Sequence, residues 1–199
     1  MKIKFKKSLI PLLACSIGLT PFLSIKAEDA PDVTWTKLLG FEDTEQVGTV
    51  GAAYFDNSIY LHGYRYYGNE FDRDNFIVKI TEDGLIEWTI SEENIKNEFG
   101  NIATGTDGSL YITGYVNESI DNEVHQGSLD VHVTKYSSIG EREWTKLLGT
   151  SSSESGYGVA TASDGSIYIS GYTFGELDDQ IHSGGGSHDA FLSKYSSDG

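Results

Sequence analysis

Apolar and polar residues alternate at period two through much of this chain, and no stretch shows a sustained helical period. In 58–63 Ile59 and Leu61 fall on one face and Tyr60 and His62 on the other. Leu110 and Ile112 stand opposite Tyr111 and Thr113 in the same way, as do Ile167 and Ile169 opposite Tyr168 and Ser170. Such alternation is the signal of half-buried β-strands. Each run follows Asp56-Asn57, Asp107-Gly108 or Asp164-Gly165, residues that tolerate the positive φ of tight hairpin turns. A Gly- and Ala-rich strand is predicted before each turn, over 47–55, 100–106 and 156–163. A third strand is predicted at 74–80, 130–136 and 189–195. After Asp83-Gly84 and Ile139-Gly140 a fourth strand carries Trp88 or Trp144.

These strands come as a repeated sentence. Trp35, Trp88 and Trp144 each open a Trp-Thr step, 53 and then 56 residues apart, and Lys79, Lys135 and Lys194 hold one place in the third strand. Self-similarity at this period marks a repeat architecture. Four antiparallel strands per unit predict an all-β fold of β-propeller blades, about three in number and forming an incomplete ring. The repeats run over about 35–87, 88–143 and 144–199, and Trp35 heads an orphan fourth strand. From the turn Asp to the Lys the distance grows from 23 to 28 to 30 residues, while Lys to the next Trp stays at 9. Length variation therefore sits between strands two and three, so loops 64–74, 115–130 and 172–189 form the expected ligand face.

Residues 1–27 read as a leader. Lys2, Lys4, Lys6 and Lys7 precede an apolar run, and Ile25-Lys26-Ala27 ends in a small residue, which predicts a Sec signal peptide and a secreted, cell-surface or periplasmic protein. A lipoprotein anchored at Cys15 is the alternative. Removal of the leader leaves 9 basic against 30 acidic side chains, a net charge of −21. That surface makes nucleic acid and membrane insertion of the mature chain unexpected.

The stretch Asp164-Gly-Ser-Ile-Tyr-Ile-Ser-Gly-Tyr-Thr173, with Asp189-Ala-Phe-Leu-Ser-Lys-Tyr195 and Trp144-Thr-Lys-Leu-Leu-Gly-Thr150, resembles the bacterial seven-bladed β-propeller repeat abbreviated SBBP. The resemblance covers nearly all of 33–199 and implies a secreted or surface propeller, with no catalytic residues to carry over. Three copies do not close a ring. Either further blades are missing, or two chains exchange the Trp35 strand and close a six-bladed homodimer.

Candidate chemistry gathers in the long loops. Asp121 and His125 match Asp178 and His182, an Asp and a His four apart in adjacent repeats, which suits a metal or a sugar but equally a capped turn and a packed His. Calcium is the one cofactor considered, through Asp178, Asp179 and Asp189. Tyr115 and Tyr172 could stack on a glycan or serve a protein interface. The recurring lysines suggest a structural ion pair with a recurring Asp. No nucleophile elbow, zinc-protease helix or phosphate loop occurs. The expected role is therefore a non-enzymatic binding or scaffold module for a protein or glycan. The alternatives are part of an extracellular propeller hydrolase or lyase, or a fragment without independent activity.

Overall fold

The computed structural model describes residues 36, 46–66, 73–92, 98–183 and 185–199. The leader, with Cys15, and the Trp35 strand lie outside the described residues. Among the described residues, eleven strands form three sheets. The first holds β1 (Gln46–Phe55), β2 (Ser58–Tyr66), β3 (Arg73–Thr81) and β4 (Ile86–Glu92). The second holds β5 (Glu98–Thr104), β6 (Leu110–Val116), β7 (Asp130–Tyr136) and β8 (Arg142–Leu148). The third has three strands, β9 (Glu154–Thr161), β10 (Ile167–Thr173) and β11 (Asp189–Tyr195). Each is an antiparallel meander in chain order. This is the blade architecture that the repeats predict, open rather than closed.

The alternation decides how blades stack. Tyr60 and Ile77 of blade 1 meet Leu110, Ile112 and Tyr136 of blade 2 in one buried cluster. The opposite face of blade 2, with Tyr111, Val131 and Val133, meets Ile167 and Ile169 of blade 3. Each blade thus offers its tyrosine face forward and its aliphatic face backward, and burial of both drives association. Inner strands are stitched from blade to blade: Thr104 Oγ1 donates to the Tyr54 carbonyl (3.1 Å), and Thr161 Oγ1 donates to the Thr104 carbonyl (2.6 Å). A Cβ on Gly100 would lie 2.3 Å from the Gly156 carbonyl oxygen, so this approach requires glycine.

Two details differ from the sequence reading. The inner strands of blades 2 and 3 begin and end two residues earlier than expected, because longer turns consume their ends. Of the three inner hairpins, that of blade 1 is the one whose two turn residues, Asp56 and Asn57, both take positive φ. In blade 2 Gly108 alone takes the positive φ, and Asp107 accepts from Ser109 N and Oγ (3.0 and 2.9 Å). Asp164 accepts from Ser166 N in blade 3 (2.9 Å).

The recurring lysines pair with glutamate, not with the turn aspartate. Lys79 reaches Glu87 at 2.7 Å and Lys135 reaches Glu143 at 2.8 Å, each glutamate standing just before the blade's Trp. Strand geometry explains the choice: Lys79 and Lys135 lie opposite Trp88 and Trp144, so the neighbouring residue is within reach. The Glu87 hydrogen bond holds the Lys79 ammonium above its ordinary pKa. Each lysine also lies over the tyrosine of its own blade, 5.8 Å from Tyr60, 5.9 Å from Tyr111 and, for Lys194, 5.6 Å from Tyr168.

Candidate functional site

The loop between β6 and β7 is built inward from two buried carboxylates. Asp130, the first residue of β7, accepts from the backbone N–H of Gln126 (2.8 Å) and Gly127 (3.2 Å). Its carboxylate also stands 3.7 Å from His125 Nε2. Glu154 at the start of β9 accepts from Thr150 N (2.7 Å), Thr150 Oγ1 (2.8 Å) and Thr173 Oγ1 (2.8 Å). Ser128 N donates to the Ser152 carbonyl, and Glu154 N to that of Leu129. A Cβ on Gly149 would meet the Asp130 carboxylate at 2.3 Å. These carboxylates, buried but well supplied with donors, hold a loop in place.

The Asp–His sub-motif therefore divides its labour. Asp121 takes a left-handed conformation (φ 54°) in the turn closed by reciprocal Ile120–Glu123 backbone bonds, and accepts from Arg142 Nη2 (3.0 Å). Glu123 pairs with Lys146 at 3.0 Å. His125 turns away from Asp121 toward Asp130. In blade 3 Asp178 and Asp179 take the same left-handed turn (φ 50° and 59°), with Leu177 buried where Ile120 is buried. Asp189 accepts from Ser183 N (2.7 Å) and Oγ (3.1 Å); the Ser183 backbone bond, and then His182 and His188 nearby, hold its pKa low. In blade 2 the Asp and the His of the motif thus take different partners, Arg142 and Asp130. Among the described residues no group of three or more His, Cys, Asp or Glu is placed to hold a metal ion, so Asp178, Asp179 and Asp189 are not gathered into one.

The aromatic candidate fares differently. Tyr172 is the centre of an aromatic cluster: its ring lies 5.6 Å from Tyr157, 5.6 Å from Phe174 and 5.1 Å from His188, while Phe174 and His188 are 5.5 Å apart. Tyr157 is 57% exposed and Phe174 42%. Tyr115, its counterpart in blade 2, is half-buried. The sequence reading missed Tyr157, Phe174 and His188; the Tyr-Thr-Phe alternation at the end of β10 was the signal for one of them. Beside β11 runs a groove of about 720 Å³, lined by Leu147 and Leu148 of blade 2, by Leu177, Asp178 and Ile181 of the blade 3 loop, and by β11 itself. Tyr195 at its end is pushed up to about pKa 12 by burial and by Asp178 and Glu123.

A second unforeseen feature is the pair His62 and His132, both fully buried where blades 1 and 2 meet. Burial lowers His62 to about pKa 4 and His132, which also feels His62, to about 3. His132 Nδ1 lies 3.2 Å from Thr134 Oγ1, itself 3.1 Å from Thr145 Oγ1.

Residues 143–177, from the last outer strand through β10, match the β-propeller repeat SBBP. The chain carries an SBBP β-propeller repeat. Its strands β9 and β10 and its Trp144 fall inside the match. The chain is also 35% identical over 74 residues to a "Regulatory protein FlaEY" of Caulobacter vibrioides, across 34% of this chain and 8% of that protein. The aligned stretch is thus a small part of a much longer protein. Among the described residues, no helix is long and apolar enough to cross a membrane.

Proposed function

We propose that this chain is an exported, non-catalytic binding or scaffold module that engages a protein or glycan through the loop edge of its blades. The observation that carries the reading is the exposed Tyr157–Tyr172–Phe174–His188 cluster beside an ordered loop. Flat apolar rings held at a surface suit stacking on a sugar ring or an aromatic side chain. The hydrogen bonds of Asp130, Glu154 and Asp189 support it, because ordering a loop before binding lowers the entropy cost of recognition. The name of the Caulobacter vibrioides relative is consistent with a non-enzymatic role. The acid excess leaves nucleic acid as the least suitable partner. The basic, apolar leader supports export.

A glycan array probed with the labelled protein tests the proposal, with turnover followed on every retained probe. Retention that falls at least tenfold in Tyr172→Ala, with no product formed, is the expected result. Product formation from any retained glycan, or retention unchanged by Tyr172→Ala and Phe174→Ala, overturns it.

A further inference from the structure

β11 is an edge strand: it pairs with β10 on one side and with no strand on the other among the described residues. In the other two blades that second side is filled by β4 or β8, the strand that brings a Trp against the tyrosine of the same blade, 6.0 Å for Tyr60–Trp88 and 6.2 Å for Tyr111–Trp144. Tyr168 and Lys194 repeat the first two members of that row, and the groove beside β11 lies where the third would sit.

The chain contains one further copy of the strand that fills such a groove. Residues 35–40 read Trp-Thr-Lys-Leu-Leu-Gly, identical to 144–149, which form most of β8. The one described residue of that stretch behaves unlike its counterpart. Thr36 is exposed and belongs to no strand, whereas Thr145 is buried and lies 3.1 Å from Thr134 Oγ1. The chain therefore carries a second hexapeptide with the sequence of an outer blade strand, and its Thr36 lacks the environment of Thr145.

We infer that residues 35–40 of one copy dock as the outer strand on β11 of a second copy. Transfer of the β7–β8 register to β11 sets Trp35 opposite Lys194, Thr36 opposite Ser193 and Leu38 opposite Phe191. Trp35 then covers Tyr168 and Lys194 as Trp144 covers Tyr111 and Lys135. Thr36 and Leu38 enter the groove, and Lys37 approaches Asp178 and Asp179, near the place from which Glu123 meets Lys146 in blade 2. Thr34 stands where Glu87 and Glu143 precede their tryptophans, so the lysine–glutamate pair is not reproduced. The donor is a second chain for reasons of reach. The segment between Gly40 and Gln46 extends about 20 Å at most. From β1 the far edge of β11 is two sheet spacings of about 10 Å away and three strands farther out. The same short tether brings the donor's first blade toward the exposed face of Leu192. Main-chain hydrogen bonds supply affinity and the alternate side-chain pockets supply register.

Two single-cysteine variants of the full chain, Thr36→Cys and Ser193→Cys, each in a Cys15→Ser background, test the inference. Both substitutions are at positions outside the buried core, which leaves the fold intact. Light scattering of the unsubstituted chain is expected to give twice the mass of one chain. Under mild oxidation, mixed variants are expected to yield a covalent heterodimer at least tenfold faster than Thr36→Cys mixed with Phe191→Cys. A single-chain mass, a mass without the Thr36–Ser193 cross-link, or a double variant that closes its disulfide within one chain overturns the inference. This assembly does not depend on what the loops bind, so a dimer that retains no glycan leaves it standing.

Discussion

Blades 2 and 3 present the same face in the same register, and the two faces have opposite fates. Tyr111 and Val133 of blade 2 are buried against Ile167 and Ile169. Their counterparts in blade 3 are Tyr168 and Leu192, and Leu192 is 71% exposed. Lys135 lies between a tyrosine, a tryptophan and a glutamate, whereas among the described residues Lys194 has the tyrosine of that row beside it and no tryptophan. The repeat therefore encodes a surface meant for a neighbour, and burial depends on whether a neighbour is there.

Acid gives the largest expected break in this comparison, because it strikes only the closed side. His62 and His132 titrate in the folded protein near 4 and 3, below the 6.5 of an unfolded histidine. Unfolding therefore takes up protons as pH falls below about 6.5. The stability these residues contribute is fully present above that pH and is lost progressively toward pH 4 and then 3. Between pH 7 and 5 the loss is about 2 kcal/mol for each histidine. Denaturant melts at the two pH values check this, and a His62→Gln, His132→Asn double variant is expected to flatten the dependence. An unchanged slope would mean the burial is relieved by local opening.

Removal of the Glu154 carboxylate comes next. Glu154→Ala strands Thr150 N and the Thr150 hydroxyl in a buried site and removes one bond of Thr173, at a cost of about 3 kcal/mol. Chemical denaturation measures the loss, and hydrogen exchange is expected to show it first in 126–130 and 150–154. Asp189→Ala, on the open blade, removes only exposed bonds and is expected to cost far less than Glu154→Ala.

The register-matched pair gives a sharper test at smaller size. Val133→Ala empties a packed site and is expected to cost about 2 kcal/mol. Leu192→Ala is expected to stay within about 0.5 kcal/mol in a single chain. If the docked dimer is the species in solution, Leu192→Ala instead costs more than about 1 kcal/mol and the melting temperature rises with the logarithm of protein concentration, which links this comparison to the assembly. Glu143→Gln is smaller again: its surface pair with Lys135 is worth less than about 1 kcal/mol and fades with salt. Millimolar calcium is expected to leave the melting temperature unchanged, since no acidic trio is assembled among the described residues; a shift would place an ion in the loops.

The strands and their order within each meander were legible in the sequence, because period two and fixed Trp and Lys spacings are local. The third strands over 130–136 and 189–195 have the bounds read from the pattern. The partner of the recurring lysine was not legible, since Asp and Glu both recur and only the pleat shows that the residue before Trp is in reach. Tyr172 was found from composition at the variable loop, while Tyr157 reached the same cluster from another strand, 15 residues away in sequence. Asp121 and His125 looked like one unit by spacing, yet the turn sends them to Arg142 and Asp130.

What the sequence by itself determined is the repeat: which residues form strands, which turn, and which alternate faces are apolar. These follow from short-range rules of backbone conformation and side-chain parity. Only the tertiary structure decided which face is covered, which carboxylate is buried, and which histidines meet between blades. Burial is a property of neighbouring surfaces, and residues far apart in the chain supply those surfaces.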